Sequence, residues 1–325
     1  MKNLMRVLTV LLAMLLLVGC TEAAPPVEEV TPTEPVIRET EPQETLPFAF
    51  TSEQFLKIDG YFDHTPMAEC APLAEGVPYL QVSDPEGQVS VMQGGCCDGE
   101  YFYMAVEGSN LEIDGVTYKK AHKIFKVDMK TFETVAVSQL LPLDHANSIC
   151  YNAKLDRILV ANCNDVIADD GLDNTKAVTF VDPDTLTIEK VIYLDFAINA
   201  IDYSATHDLY VVGHKGSSAS FSVLDANFVE LGYYEGHALG LNPQDVGCTD
   251  EYIFVGNSGV AGESAGQEVV KVYDWDGTYM GIFRVGNVSE QEAIFEWDDV
   301  IYITFYNAPG GRLYRLDMDL SLLEQ

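Results

Sequence analysis

An amide side chain recurs five times along this chain, each time at the head of a similar β-rich stretch. The positions are Gln93, Asn147, Asn199, Gln244 and Gln291, spaced by 54, 52, 45 and 47 residues. A supersecondary unit repeated at roughly 40–50 residues is the mark of a repeat array, because one unit cannot bury its apolar face without a neighbour. The spacing therefore predicts five like units and five like residues brought together around one axis.

Each unit carries four β signals in a fixed order. The first begins at the amide, as in Asn147-Ser-Ile-Cys-Tyr and Asn199-Ala-Ile-Asp-Tyr. A polar turn follows, such as Asp98-Gly99, Asn152 to Asp156, or Asp298-Asp299. The second signal is β-branched or aromatic, from Tyr101 to Val106 and from Ile158 to Ala161, with equivalents at Leu209, Tyr252 and Ile301. The third ends each time in an aspartate after an apolar residue, at Asp128, Asp182, Asp225, Asp274 and Asp317. An aspartate that accepts hydrogen bonds from its own turn explains that recurrence, so these five read as structural. Four antiparallel strands repeated five times over residues 89–325 resemble a five-bladed β-propeller, an all-β fold. Residues 48–88 precede it. They hold a helix-like stretch near Ser52 to Lys57 and a strand signal from Val77 to Ser83 that would complete the last blade and close the ring. A sixth, irregular blade is the alternative.

The N-terminus reads as a processing signal. Lys2 and Arg6 form a basic start, Leu8 to Val18 a short apolar run, and Leu17-Val18-Gly19-Cys20 ends it over residues 1–20. That tetrapeptide looks like a bacterial lipobox, which implies cleavage before Cys20 and lipid attachment to its thiol. Residues 21–47 are rich in Glu, Pro and Thr and poor in bulky apolar side chains, the composition of an acidic, disordered tether. The expectation is a lipid-anchored protein on the extracytoplasmic face of a membrane.

Charge narrows the partners. The chain carries 51 acidic and 18 basic residues, a net charge of −33. A field of that sign opposes nucleic acid and anionic headgroups, and leaves the lipid on Cys20 as the only membrane contact. The remaining cysteines show no zinc-type pairing. Cys96, Cys150 and Cys248 recur three or four residues after the amide, which reads as small buried apolar residues between blades. Cys96-Cys97 offers two adjacent thiols to a soft metal as an alternative.

In a propeller the first strands line the central channel, so the five amides are expected at one mouth. The residues that end the second strands join them there: Glu107, Asn162, Asn164, His214, Lys215, Asn257 and Asn307, together with His145. Amides donate and accept together, which suits a hydroxyl-rich, mostly neutral ligand such as a saccharide or a cell-wall fragment. The expected ligand-binding set is Gln93, Asn147, Asn162, Asn164, Asn199, Lys215, Gln244, Asn257, Gln291 and Asn307. His145 and His214 would serve as general acid and base if the mouth cleaves its ligand. Asp202, Asp245 and Glu292 lie closest to the axis among the acids, but strand alternation is expected to turn them away from the channel. The acidic run from Asp165 to Asn174 offers oxygens to Ca2+ without EF-hand spacing. The pattern Gln93-Gly and His145-Ala-Asn147, followed by a hydrophobic-Cys-Tyr-Asn strand, is similar to bacterial and phage surface proteins built on propeller repeats. That resemblance implies a cell-wall polymer as ligand or substrate. A protein-interaction scaffold is the third functional class.

Overall fold

The computed structural model describes residues 65–82, 84, 86–87, 89–163, 173–216, 219–236, 241–259, 268–285, 290–306 and 311–323. The chain divides into two compact units, Met1–Ala49 and Phe50–Gln325, and every described residue falls in the second. Cys20, the tether and the helix-like stretch near Ser52 lie outside the described residues.

Two short strands come first, β1 (Met67–Ala71) and β2 (Leu80–Gln81). The first blade holds β3 (Val89–Cys97) and β4 (Tyr101–Gly108), then a small hairpin of β5 (Leu111–Ile113) and β6 (Val116–Tyr118), then β7 (His122–Asp128) and β8 (Thr134–Val137). The second contains β9 (Ser148–Asn152), β10 (Arg157–Ala161), β11 (Ala177–Val181) and β12 (Ile188–Tyr193). In the third are β13 (Ile198–Ser204), β14 (Leu209–His214), β15 (Phe221–Leu224) and β16 (Glu230–Tyr234). The fourth is formed by β17 (Asn242–Cys248), β18 (Tyr252–Ser258), β19 (Glu268–Asp274) and β20 (Tyr279–Val285). The fifth takes β21 (Gln291–Trp297), β22 (Val300–Tyr306) and β23 (Gly311–Asp317).

Within each blade consecutive strands pair antiparallel, and the inner strands β3, β9, β13, β17 and β21 each touch the next, with β21 returning to β3. That closed cycle of five is the propeller expected from the repeat. The fifth blade has no fourth strand of its own. β1 takes that place against β23, with Cys70 opposite Leu316, while Met67 and Ala68 pair parallel with Arg284 and Val285 of β20. One N-terminal strand thus sews blades four and five into a single sheet and covers two edges that would otherwise be open. β2 pairs with the other end of β23, Leu80 opposite Leu313. The strand signal at Val77 to Ser83 therefore yields only two paired residues, and Met67–Ala71 makes most of the edge.

The core is a set of apolar layers between blades, not one central mass. Met92, Phe102, Met104 and Phe125 pack against Phe295 and Leu313 between blades one and five, and Phe254, Phe283, Ile303 and Phe305 fill the layer between four and five. Burying each such side chain contributes on the order of 1.5–3 kcal/mol, which is why a slightly twisted stack of β-sheets closes without a helix. Cys96, Cys150 and Cys248 sit in three successive layers as free, buried thiols. Alternation sends the neighbouring Cys97 into a different layer from Cys96, so the pair does not converge, and the described residues contain no metal-holding cluster of His, Cys, Asp or Glu.

The recurring aspartates hold their turns. Asp128 Oδ1 accepts the N–H of Lys130 and of Thr131 at 2.8 Å, and Asp182, Asp225 and Asp274 accept from Thr185, Val229 and Thr278 in the same manner. Asp317 departs from the pattern because no fourth strand follows it; its carboxylate meets Arg315 at 3.3 Å.

Candidate functional site

The inner strand of a propeller blade presents an edge to the axis, and an edge is a row of unpaired N–H and C=O groups. This fact decides what the five amides do. The Asn147 amide donates to the carbonyls of Asn199 at 2.8 Å and Gln244 at 2.6 Å, joining blade two to blades three and four. Asn199 donates to Pro243 O at 3.0 Å, and Gln291 donates to Asn257 O at 2.6 Å and Val269 O at 3.0 Å in blade four. Gln244 donates to the Glu290 carboxylate. All five amides are buried, none more than 7% exposed. Asn147, Asn199 and Gln291 satisfy backbone across blade boundaries, which corrects the expectation of ligand binding for these three; Gln244 is engaged by the Glu290 side chain, and the Gln93 amide oxygen has no partner among the described residues.

The same edges explain the acids. The parity argument fails because the inner strands turn edge-on to the axis, and because bulges interrupt the ladder next to four of the amides, between Met92 and Gly95, Ile198 and Ala200, Pro243 and Val246, and Gln291 and Ala293. Side chains after the amide then reach the next inner edges. The Ser148 hydroxyl bonds both the N–H and C=O of Ile201 at 3.0 Å, Asp245 accepts Ile294 N–H at 2.9 Å, and Asp202 accepts Cys248 N–H at 2.8 Å. Burial pushes the carboxyls of Asp245 and Glu292 well above the ordinary carboxylate range. Glu268, which accepts from Ser258 and from Gln291 N–H, is pushed by burial to about 8.

The remaining expected residues scatter. His145 Nδ1 lies 3.2 Å from Glu107 Oε2, and Lys120 reaches the same oxygen at 3.1 Å. Burial raises the Glu107 carboxyl, but these two partners outweigh it and hold it at about 2. His214 is not at this cluster. Its Nε2 meets the buried Ser222 hydroxyl at 2.7 Å and its ring packs on Phe196 and Tyr233, so the blade uses it internally and burial lowers its pKa. The two histidines share no partner among the described residues. Asn162 accepts from Thr179 and caps the start of blade two through its carbonyl, bonded by the N–H groups of His145 and Ala146. Lys215 donates to Cys163 O at 3.3 Å. Asn257 is fully buried, and neither end of its amide has a partner among the described residues. Asn164 and Asn307 lie outside the described residues, as does most of the Asp165-to-Asn174 run. Of that run, Asp173 caps a short 3-10 turn and Asn174 bonds Asp144.

A concave site is formed instead at the other end of the channel, where the turns between first and second strands of all five blades meet. The cavity measures about 370 Å3, within the range of small-ligand pockets. Its lining includes the acidic residues Asp98, Asp202, Asp250, Glu296 and Asp298, and the described lining contains no Lys, Arg or His; the Asp98 carboxylate already accepts from Glu100 N–H, Tyr101 N–H and the Tyr103 hydroxyl. Tyr151, Tyr203 and Trp297 supply aromatic surface. Their polar tips are tied down, Tyr151 to Asp156 and Tyr203 to Asp208 at 2.7 Å, Trp297 to Gly99 O at 3.1 Å. The rings are therefore held in place before any ligand arrives. Asp202 is part-buried at the cavity wall, and burial pushes its carboxyl to about 7 against the opposing N–H groups of Tyr203 and Cys248. Tyr151, Glu296 and Trp297 were not expected at a site, because they stand at strand ends and turns, which read from sequence as connections. The signal was present in the repeat: every first strand that begins at an amide must end at one common opposite mouth.

No family model and no curated protein matches this chain. Among solved structures it is similar to the glutaminyl cyclase of Myxococcus xanthus, with 11% identity, a TM-score of 0.47, and coverage of 78% of this chain and 94% of that one. The hydrazine synthase of Kuenenia stuttgartiensis is similar at 13% identity and a TM-score of 0.39, over 69% of this chain and 57% of that one. A protein of unknown function from Bacteroides caccae gives 12%, 0.37, 67% and 65%. This chain thus spans less than two thirds of the latter two. Likenesses this distant transfer no residue role or activity, and the five-bladed architecture rests on the sheet pairing itself.

Proposed function

We propose that the protein is an extracytoplasmic lipoprotein, anchored through Cys20, whose propeller binds a neutral or amino-substituted saccharide of cell-wall type in the cavity at the turn end of the channel. The observation that carries this reading is the lining: five acidic residues and three fixed aromatic rings, with no basic side chain among the described lining residues. Carboxylates accept hydrogen bonds from sugar hydroxyls, and an amino group adds charge to the same bond. Aromatic rings offer faces to the apolar side of a pyranose and a quadrupole to a cation. A uronic acid or phosphosugar meets only like charge there, and nucleic acid is opposed by the whole molecule.

The test uses the full chain in detergent micelles with Trp275→Phe, which leaves Trp297 as the sole tryptophan. Titration with N-acetylchitotetraose and with its de-N-acetylated form is expected to change Trp297 emission saturably, with the amino form tighter. Glu296→Gln and Trp297→Ala should each weaken binding about tenfold or more. Saturable binding that ignores both substitutions would move the site away from this cavity. A preference for an oligouronide would overturn the charge argument.

A further inference from the structure

We infer that this cavity also hydrolyses the glycosidic bond of its ligand, with the Asp202 carboxyl protonating the bridging oxygen and the Glu296 carboxylate taking a proton from the attacking water. The inference rests on the binding reading and adds a reaction to it.

The placement comes first. Asp202 belongs to β13 of blade three and Glu296 to β21 of blade five, and both line the cavity with the Cys248–Asp250 segment of blade four between them. Two acidic residues from different blades thus border one cavity, and glycoside hydrolysis uses a pair of carboxyls. The two groups live in different surroundings. One oxygen of Asp202 is fixed by the N–H of Cys248 at 2.8 Å, and its carboxyl lies among the thiols of Cys96, Cys150 and Cys248. Thiols solvate a carboxylate poorly, so the neutral acid is favoured, and the group is held at about 7. Glu296 lies near the end of β21. Burial raises it as well, opposed in part by the N–H of Asp299, which Oε1 accepts at 2.6 Å. Two carboxyls whose environments differ in this way divide into acid and base. Asp245 and Glu292 do not compete for the roles, since both are buried and neither lines the cavity.

The step balances with water as the only co-reactant. The water oxygen bonds to the anomeric carbon as the bond from that carbon to the bridging oxygen breaks. Asp202 gives its proton to the departing oxygen, Glu296 receives one from the water, and exchange with solvent restores both groups. The two products are a new reducing end and a free hydroxyl.

The experiment incubates the full chain in micelles with N-acetylchitotetraose and its de-N-acetylated form from pH 4 to 9. Products are followed by mass spectrometry and binding by Trp297 emission in the Trp275→Phe background. Cleavage is expected, with kcat about 10²–10⁴-fold lower in both Asp202→Asn and Glu296→Gln. Activity should fall as pH rises through about 7, and that alkaline limb should vanish from the residual activity of Asp202→Asn, which a purely structural role would not cause. Binding without cleavage at any pH overturns the hydrolytic inference and leaves the binding reading standing. Absence of both binding and cleavage overturns both. Cleavage that survives both substitutions removes these two residues from the reaction.

Discussion

At the amide end of the channel Asn147 donates to two carbonyls in two other blades, and Asp245, Ser148 and Gln291 likewise bond to backbone in neighbouring blades. At the turn end, Asp98, Asp202, Glu296 and Trp297 surround a cavity of about 370 Å3. The same five strands build both ends. Side chains bond backbone at both ends; at the amide end those bonds run between blades, whereas at the turn end the bonded side chains also border a cavity. A polar residue close to a symmetry axis is therefore weak evidence for binding until its hydrogen bonds have been followed.

That contrast can be broken by substitution at the amide end. Asn147→Ala leaves the Asn199 and Gln244 carbonyls without their donor, each costing about 1–3 kcal/mol when buried. The expected loss is about 2–4 kcal/mol, or roughly 5–15 °C in Tm, read by thermal denaturation; a change under about 2 °C would mean that water replaces the amide. Gly94→Ala tests the closeness of the edges. A Cβ there would lie 2.5 Å from Ile149 N and 2.7 Å from Ser148 Cα, both backbone, and overpacking of that kind costs about 1–3 kcal/mol.

Between pH 6.5 and 8.5 buried groups of both signs titrate. Asp202 and Glu268, held at about 7 and about 8, keep protons in the folded state that their unfolded counterparts have lost. These two make stability fall as pH rises through this window, while Lys271, which burial lowers to about 7, opposes them because its unfolded counterpart still holds a proton there. Lower pH brings opposing groups. His122, which burial holds at about 3, favours unfolding as pH drops below its ordinary value, and Glu107 loses its contribution as pH falls from the ordinary glutamate range towards about 2. In Lys271→Met, where that opposition is gone, a Tm that rises from pH 6.5 to 8.5 would contradict the assignment. The smallest expected effect is at the turn end: Glu296→Gln should alter stability by less than about 0.5 kcal/mol, even as it weakens the ligand. A large drop in Tm would make that mouth structural as well.

Much of the fold was legible in the chain because it repeats. The amide spacing gave the number of blades, β-branched runs gave the strands, and the aspartates before turns gave the third-to-fourth connections, four of which are held as expected. The ring closure was only half legible: Val77 to Ser83 looks like a strand, whereas Met67–Ala71, which carries most of the pairing, lacks strong alternation and gains its structure from the edge of β23. The site was less legible. His145 and His214 sit at equivalent ends of their blades, yet Glu107 engages one and Ser222 the other, a difference in side-chain direction that spacing does not encode.

The sequence by itself determined the period, the five blades and the convergence of like residues on one axis, since apolar periodicity and turn chemistry are local properties. Only the tertiary structure decided which of those residues are consumed by backbone and which face open space. That depends on how closely the inner edges approach one another, and their approach is set by packing in the layers between blades.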